Sequence, residues 1–286
     1  GSHEQAIARF GLRAAFPRAL EVIMGPGCPV CVTDTPEVDE AVALAIQGMR
    51  VCTYGDMLRL PGTSRSLADA QAAGGKVEVV YSVSQAVEIA RRRPAEQVVF
   101  FASGFETTAV ATAAVVLSGT PRNFSVLSAH KYVPAAMEVV AEMEETRIEG
   151  FLAAGHAATI TGWGIFEPFA RRTGTPVVVA GFEPLDVLAA ILRCVELLRA
   201  GRAEVANCYP RCVTREGNRA AQEKLQALRG ERDAQEKRGV LGRRYDVSRT
   251  LAAETLAASQ KALADAAQAK ERAKIDAAAL IKTAED

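Results

Sequence analysis

This chain of 286 residues has few histidines, no net charge and no long apolar run. No apolar run approaches the roughly 18–20 residues that span a bilayer, so we expect no membrane protein. Because the formal net charge is zero and no basic stripe is present, nucleic acid is not expected as a partner either. The six cysteines do not resemble the disulfide framework of a secreted protein, which favours a reducing, cytoplasmic location.

Several motifs that carry nucleotide or hydrolytic chemistry are also absent. The sequence contains no Walker A loop, Gly-x-Gly-x-x-Gly, His-Glu-x-x-His or Gly-x-Ser-x-Gly. The one similar stretch, Gly74-Gly75-Lys76, lacks the Ser or Thr that a phosphate loop needs. Nucleotide chemistry is therefore not supported by the sequence.

What the chain does contain is a pair of cysteines in a stretch rich in glycine and proline, Gly25-Pro26-Gly27-Cys28-Pro29-Val30-Cys31. Their spacing allows a disulfide across one turn or two bonds to one metal, and a buried reduced pair is the structural alternative. The apolar run at 20–24 predicts a strand before the loop, and Thr35 as N-cap predicts a helix after it. The thiols would then lie at a strand end, where open α/β sheets bind their ligands.

Short apolar runs alternate with helical patterns from about residue 19 to residue 184, which is typical of βαβ units and a parallel sheet. The predicted strands are 20–24, 50–54, 77–81, 97–102, 124–128, 150–153 and 177–180. A polar break ending at Pro94 divides three of them from four, so we expect two similar α/β lobes with a cleft between them. The predicted domains are 1–94, 95–215 and a helical C-terminal region 216–286, whose Ala-rich part from about residue 250 favours a long helix.

Two of the three histidines, His130 and His156, end strand-like runs. The carboxyl ends of parallel strands are where ligands bind, which favours a functional role, although a hydrogen-bonded structural histidine is the alternative.

The tripeptide Gly-Phe-Glu occurs twice after a buried run, ending in Glu106 and in Glu183. These carboxylates would either anchor their loops by accepting backbone N–H bonds or carry protons and orient a histidine. Thr107 and Thr108 are predicted to cap the helix that follows the first tripeptide.

Cys52 also ends a predicted strand, from which it could approach the Cys28–Cys31 loop. A four-thiolate zinc site made by Cys28, Cys31, Cys208 and Cys212 is a weaker alternative, because the second pair lacks the usual knuckle spacing.

Taken together, these segments resemble the hydrogenase maturation factor HypD family over about residues 1–245. The resemblance is carried by 25–32, by Cys52-Thr53-Tyr54-Gly55-Asp56, by Gly104-Phe105-Glu106-Thr107-Thr108, by Gly155-His156, by 178–186 and by Glu216-Gly217-Asn218.

The resemblance implies a scaffold that holds iron with cyanide and carbonyl ligands during assembly of a nickel–iron hydrogenase. It implies a small HypC-type chaperone and a HypE-type cyanide donor as direct partners, and the hydrogenase large subunit as an indirect one. Cys28 and Cys31 would be a redox pair, with His3, Glu106 and His156 near the iron, and a [4Fe–4S] cluster is expected of the family.

The chain departs from the family pattern in two places. The family's iron-ligating cysteine would fall immediately before Gly1, and no cysteine follows Cys212 to hold the [4Fe–4S] cluster. Two alternatives therefore accompany the scaffold hypothesis: a thiol oxidoreductase or small-molecule-binding paralogue, and a non-catalytic interaction protein.

Overall fold

The computed structural model describes residues 1–25, 27–144 and 146–237, with side chains described as far as residue 228. The Ala-rich segment predicted from about residue 250 lies outside the described residues. Among the described helices, none combines the length and apolarity needed to cross a membrane.

Two parallel sheets form the frame of the molecule, which confirms the predicted α/β class. The first has the order β2-β1-β3-β4 and the second has the order β5-β6-β7. The strands are β1 (Arg50–Thr53), β2 (Val77–Val79), β3 (Val98–Gly104), β4 (Phe124–His130), β5 (Phe151–Ala154), β6 (Val177–Ala180) and β7 (Val205–Asn207).

Helices alternate with these strands and cover them. They are α1 (Ser2–Arg9), α2 (Thr35–Ile46), α3 (Leu67–Ala72), α4 (Val83–Arg92), α5 (Glu106–Leu117), α6 (Val133–Ala141), α7 (Gly155–Thr161), α8 (Glu167–Thr173), α9 (Pro184–Arg199) and α10 (Arg219–Lys237). The longest apolar runs became inner strands: every residue of β3 and of β6 is buried. Each of these two strands is paired on both sides, so its backbone hydrogen bonds are satisfied without solvent.

The strands are grouped differently from the prediction. β3 lies after Pro94 yet pairs in register with β1, and β4 pairs with β3, so four strands precede the second sheet and three compose it. The grouping of three and four was wrong because a polar, Pro-terminated stretch ends a helix as readily as it ends a domain. The predicted domain boundaries at 94 and 215 stay a prediction.

The N-terminal helix belongs with the second sheet rather than the first. Ala6 and Ile7 of α1 are buried in one apolar cluster with Val187 and Ile191 of α9. The first residues of the chain therefore lie beside the end of β6, although 177 positions separate His3 from Ala180 in the sequence.

Three local predictions differ from the structure. Residues 20–24 form no strand, and Ile23 and Met24 are exposed, because no neighbouring strand offers them a partner. β7 was missed because it is only three residues long and half-buried, which leaves little hydrophobic pattern. The helix after the cysteine loop begins one residue earlier than predicted, since Asp34 rather than Thr35 is its N-cap and the Glu37 carboxylate accepts from the Asp34 N–H.

Helices join the two sheets. α5, which follows β3, packs against α7, which follows β5, and α10 packs against both. Met137 of α6 inserts into the buried cluster of the second sheet. The helices that follow β3 and β5 are therefore packed together, although they belong to different sheets.

Candidate functional site

The Cys28–Cys31 loop presents two free thiols that touch each other. Their sulfur atoms are 2.7 Å apart, and the backbone N–H of Cys31 donates to Cys28 Sγ at 3.3 Å. Cys31 is exposed and Cys28 is half-buried. The predicted alternative of a buried reduced pair is therefore wrong.

The two thiols differ in acidity. The hydrogen bond that the Cys31 thiol donates lowers the pKa of Cys28, and the same bond raises the pKa of Cys31. Since the thiolate is the nucleophile and the metal ligand, Cys28 is the more reactive member of the pair.

The start of the chain packs against this loop. A methyl group placed on Gly1 would lie 3.7 Å from the Cα atom of Gly27, so the two backbones are close neighbours. His3, two residues further along, lies at the carboxyl end of β6, where its Nε2 atom is 3.3 Å from the carbonyl oxygen of Ala180. The fold therefore places a histidine of the N-terminal helix near the cysteine loop and the second sheet together.

His3 and His156 share contact with one aromatic ring, that of Phe182. The His3 ring stacks on Phe182 with centroids 4.8 Å apart and planes at 26°, and the His156 ring lies 5.1 Å away at 53°. Burial lowers the pKa of both imidazoles, so both are neutral at pH 7. Neutral imidazoles can accept protons or donate a lone pair to a metal.

Glu183, which was expected either to anchor its loop or to carry protons and orient a histidine, has an exposed side chain. Its side chain is 79% exposed, and its nearest cation is Arg211 at 3.9 Å. Asp186 accepts a long 3.4 Å bond from the Glu183 N–H and is paired with Arg211, which also lies over the ring of Tyr209 at 4.4 Å.

Glu106 is the buried counterpart at the end of the first sheet. Its residue is 3% exposed, and its Oε1 atom accepts from the Val133 N–H at 2.8 Å. Its Oε2 atom is the one buried side-chain nitrogen or oxygen in the described part of the chain without a hydrogen-bond partner. Burial raises the pKa of this carboxyl, which favours a protonated form able to donate.

Thr107 and Thr108 do not cap α5, whose N-cap is Phe105. The Thr108 hydroxyl donates to the Phe105 carbonyl at 2.9 Å instead. The capping prediction was wrong because the helix begins at Glu106, one residue before the threonines.

His130 closes β4 at the edge of the first sheet. Its Nδ1 atom is 3.0 Å from the Ser128 hydroxyl and its Nε2 atom is 3.4 Å from the Thr112 hydroxyl. Burial lowers its pKa to about 4. The next residue, Lys131, donates to Asp34 at 2.8 Å and to Glu37 at 2.9 Å, which ties the end of β4 to the helix that follows the cysteine loop.

The other cysteines do not extend the thiol pair. Cys52 is fully buried in the apolar core of the first sheet, where burial raises its pKa to about 12. Cys194 is buried in the core of the second sheet, against which Cys208 packs, and Cys212 is exposed.

The described residues do not assemble a metal cluster of their own. Across the ranges that the structure describes, no group of three or more His, Cys, Asp or Glu side chains is arranged to hold a metal ion. The four-thiolate zinc site is therefore wrong, and the donor set that a [4Fe–4S] cluster requires does not come together in this part of the chain.

The site residues thus form two groups, one at the carboxyl end of each sheet. Glu106 and His130 lie at the first sheet, while His3 and His156 lie at the second, where the start of the chain also meets the cysteine loop. Sequence reasoning missed three residues of this arrangement: Lys131, Phe182 and Tyr209. Phe182 lay within the repeated Gly-Phe-Glu, but only the acid of that tripeptide drew attention.

A family model described as "HypD: Hydrogenase formation hypA family" matches residues 1–276. The chain is 42% identical over 250 residues to the hydrogenase expression/formation protein HupD of Azotobacter chroococcum, covering 84% of this chain and 66% of the relative. It is 44% identical over 233 residues to the hydrogenase maturation factor HypD of Cupriavidus necator, covering 78% of this chain and 62% of the relative. A putative hydrogenase expression/formation protein of Methanocaldococcus jannaschii is 42% identical over 225 residues, with 78% and 63% covered.

The chain spans less than two thirds of the length of these curated relatives. The family model, in contrast, extends over almost the whole chain, and the cysteine loop, both Gly-Phe-Glu tripeptides and His156 all fall inside it. The chain therefore belongs to the HypD family.

Proposed function

We propose that this chain serves hydrogenase maturation as a scaffold on which the Fe(CN)2CO moiety of a nickel–iron hydrogenase is assembled, with Cys28 and Cys31 as its redox pair. Family membership supports the maturation role. The observation that carries the finer proposal is the contact between two free thiols, 2.7 Å apart and open to solvent at Cys31.

The iron is the cargo of this scaffold. His3, Cys28 and Cys31 are its proposed protein ligands, with His156 and Glu106 beside it. The described residues do not hold these three donors together as one metal site, so we expect them to close on the iron only when cyanide, carbonyl and a donor from a HypC-type partner occupy its other positions. A HypE-type protein would supply the cyanide, and the hydrogenase large subunit would receive the product.

Oxidation of the pair forms one S–S bond and releases two protons and two electrons. Cys28, whose pKa is lowered, is the thiolate that starts the step. The proposed electron acceptor is the iron cargo in its ferric state, which takes one electron per ion, so that one pair reduces two ions in succession; one proton passes to the neutral imidazole of His156 and the other to solvent. Cys52 is better described as a core residue, while Thr107, Thr108, His130 and Glu183 stay predictions as cofactor contacts.

The test is anaerobic purification with a HypC-type partner, followed by infrared spectroscopy in the cyanide and carbonyl stretching region. We expect bands in the unmodified chain that are lost in the Cys28→Ser and Cys31→Ser variants. Cys212→Ser is the matched control, since Cys212 is also exposed but lies outside the loop. Bands of equal strength in all three variants would contradict the role of the pair, and no bands in any preparation would contradict the scaffold.

A thiol oxidoreductase is the second candidate, favoured by the exposure of the pair. It predicts that the pair cycles against a glutathione buffer without any iron or partner. Free cysteines of this kind suit a reducing compartment, so a cytoplasmic location is part of both proposals.

A further inference from the structure

The ring of Phe182 is the common contact of both site histidines. Its centroid lies 4.8 Å from that of His3, 5.1 Å from that of His156 and 6.3 Å from that of Tyr209. Phe182 is half-buried, so its ring is covered by these neighbours without being part of the apolar core.

The loop that carries Phe182 packs closely against Asp186 and Tyr209. A methyl group on Gly181 would collide with the Asp186 carboxylate and would lie 2.6 Å from the Tyr209 ring. A methyl group on Gly155 would also lie 2.6 Å from the Tyr209 ring, so Tyr209 rests on the turns after β5 and β6 together. The phenol is held in turn by Arg211, whose guanidinium lies over it and pairs with Asp186.

The two imidazoles have few other restraints. The His3 side chain has polar contacts only with the backbone, to the Ala180 carbonyl at 3.3 Å and to Gly181. Among the described residues, the imidazole of His156 makes no hydrogen bond at all. Hydrogen bonds normally fix the ring orientation of a ligand histidine. For His156, the contact among the described residues is instead with the ring of Phe182.

The His3 contact also selects a tautomer. A carbonyl only accepts, so His3 Nε2 must carry the proton in this arrangement and Nδ1 keeps its lone pair. Stacking on Phe182 then fixes the plane in which that lone pair points.

We propose that Phe182 is a positioning residue, which orients the rings of His3 and His156 through aromatic contact and so presents them to the cargo. The part of this proposal that concerns iron rests on the proposed function, whereas the part that concerns ring orientation does not. Nothing in the proposal requires Phe182 to touch the iron.

The test uses the full chain and substitutes Phe182→Leu, which keeps an apolar side chain but removes the ring. Long-range proton–nitrogen NMR resolves all three imidazoles, and His130 is an internal reference because it contacts Ser128 and Thr112 instead. We expect the ring protons of His3 and His156 to lose the upfield shift that stacking gives them, while those of His130 stay in place. Unchanged shifts at His3 and His156 would overturn the proposal.

A chemical readout accompanies the spectrum. The energy of a stacking contact corresponds to about a two- to tenfold slower chemical modification of the stacked ring. Diethyl pyrocarbonate should therefore modify His3 faster by that factor in Phe182→Leu. Phe182→Tyr keeps the ring and should restore both the shifts and the rate. Phe10→Leu is the matched control, because it removes an exposed ring from the end of the helix that carries His3.

The functional arm separates the two proposals. If the unmodified chain shows cyanide and carbonyl bands with its partner, Phe182→Leu should shift or weaken them, and Phe182→Tyr should retain them. Altered histidine shifts without any bands in the unmodified chain would leave the orientation role standing and contradict the scaffold. Normal bands in Phe182→Leu alongside unchanged shifts would contradict the orientation role alone.

Discussion

The two Gly-Phe-Glu loops have the same three residues after a buried inner strand but opposite environments. In the first loop Phe105 and Glu106 are both buried. In the second loop Phe182 is half-buried against two histidines and the side chain of Glu183 is 79% exposed.

The difference arises from where the next helix begins. α5 begins at Glu106 itself, so that carboxylate is drawn in beneath the first turn. Pro184 follows the second tripeptide and occupies the first position of α9, where proline is favoured, so Glu183 becomes the N-cap outside the helix. The helix begins at the glutamate in the first loop and one residue after it in the second. This difference decides which side chain of the tripeptide is accessible.

The largest effect is expected from placing a side chain at the glycine of each loop. Gly104 has φ of +136°, and a methyl group there would collide with the Thr108 hydroxyl. Gly181 has no such φ, although its methyl group would meet Asp186 and Tyr209. We expect Gly104→Ala to lower the free energy of unfolding by about 4 kcal/mol and Gly181→Ala by about 2 kcal/mol.

Urea titration of both glycine variants measures this difference. Equal losses would show that backbone strain does not distinguish the two loops.

The next effect concerns His130, which ends β4, and His156, which lies in the first turn of α7 rather than at the end of a strand as predicted. Burial lowers the pKa of His130 to about 4, so the folded chain resists its protonation while the unfolded chain protonates near 6.5. The stability that neutral His130 contributes is therefore lost as pH falls from 6.5 towards about 4, by about 3 kcal/mol. His130→Gln should remove most of this pH dependence, and His156→Gln should remove less because His156 is more exposed. Unfolding curves at several pH values measure this dependence. A larger loss of pH dependence in His156→Gln than in His130→Gln would contradict the prediction.

Glu106 and Glu183 should respond differently to loss of charge. Burial raises the pKa of Glu106, so its ionised form costs stability that grows as pH rises through and above the ordinary value of 4.5. Glu106→Gln should therefore become more stable relative to the unmodified chain as pH rises, by about 1 kcal/mol at neutral pH, because the variant cannot ionise at the buried oxygen that has no hydrogen-bond partner. Glu183→Gln is the matched control, because its carboxylate is exposed. If the free energy of unfolding changed with pH in the same way in both variants, burial of Glu106 would not explain the effect.

The smallest effect is expected from the cation beside each loop. Lys131 pairs with Asp34 and Glu37, and its backbone N–H donates to the carbonyl of Gly104. Lys131→Met should cost about 1 kcal/mol, as for other partly exposed ion pairs. It should also speed alkylation of the Cys28–Cys31 loop, because α2 follows that loop directly.

Arg211→Met is the counterpart at the second loop, where the guanidinium pairs with Asp186. We expect a similar cost and no change in the alkylation rate. Rates that change equally in both variants would show a general loosening and not a tether of the first sheet to the cysteine loop.

Much of the fold could be predicted because inner parallel strands are apolar runs that are easily recognised, such as Val98–Gly104 and Val177–Ala180. The short strand at Val205–Asn207 and the irregular 20–24 segment were not predictable, since edge strands and irregular segments have little pattern of their own. The site was predictable as a set of residue types but not as an arrangement. Cys52 matched its family motif as well as Cys28 did, and only burial in the core separates the two.

The sequence by itself determined the α/β class, the cysteine pair and its family, because periodicity, spacing and motifs are local along the chain. The tertiary structure alone decided which sheet each element joined, that α1 brings His3 to the end of β6, and that Phe182 contacts both histidines. These contacts join residues that are distant in the sequence, by 177 positions for His3 and Ala180, and the packing of buried faces rather than any local preference selects them. The same packing gave identical tripeptides a buried acid in one loop and an accessible ring in the other.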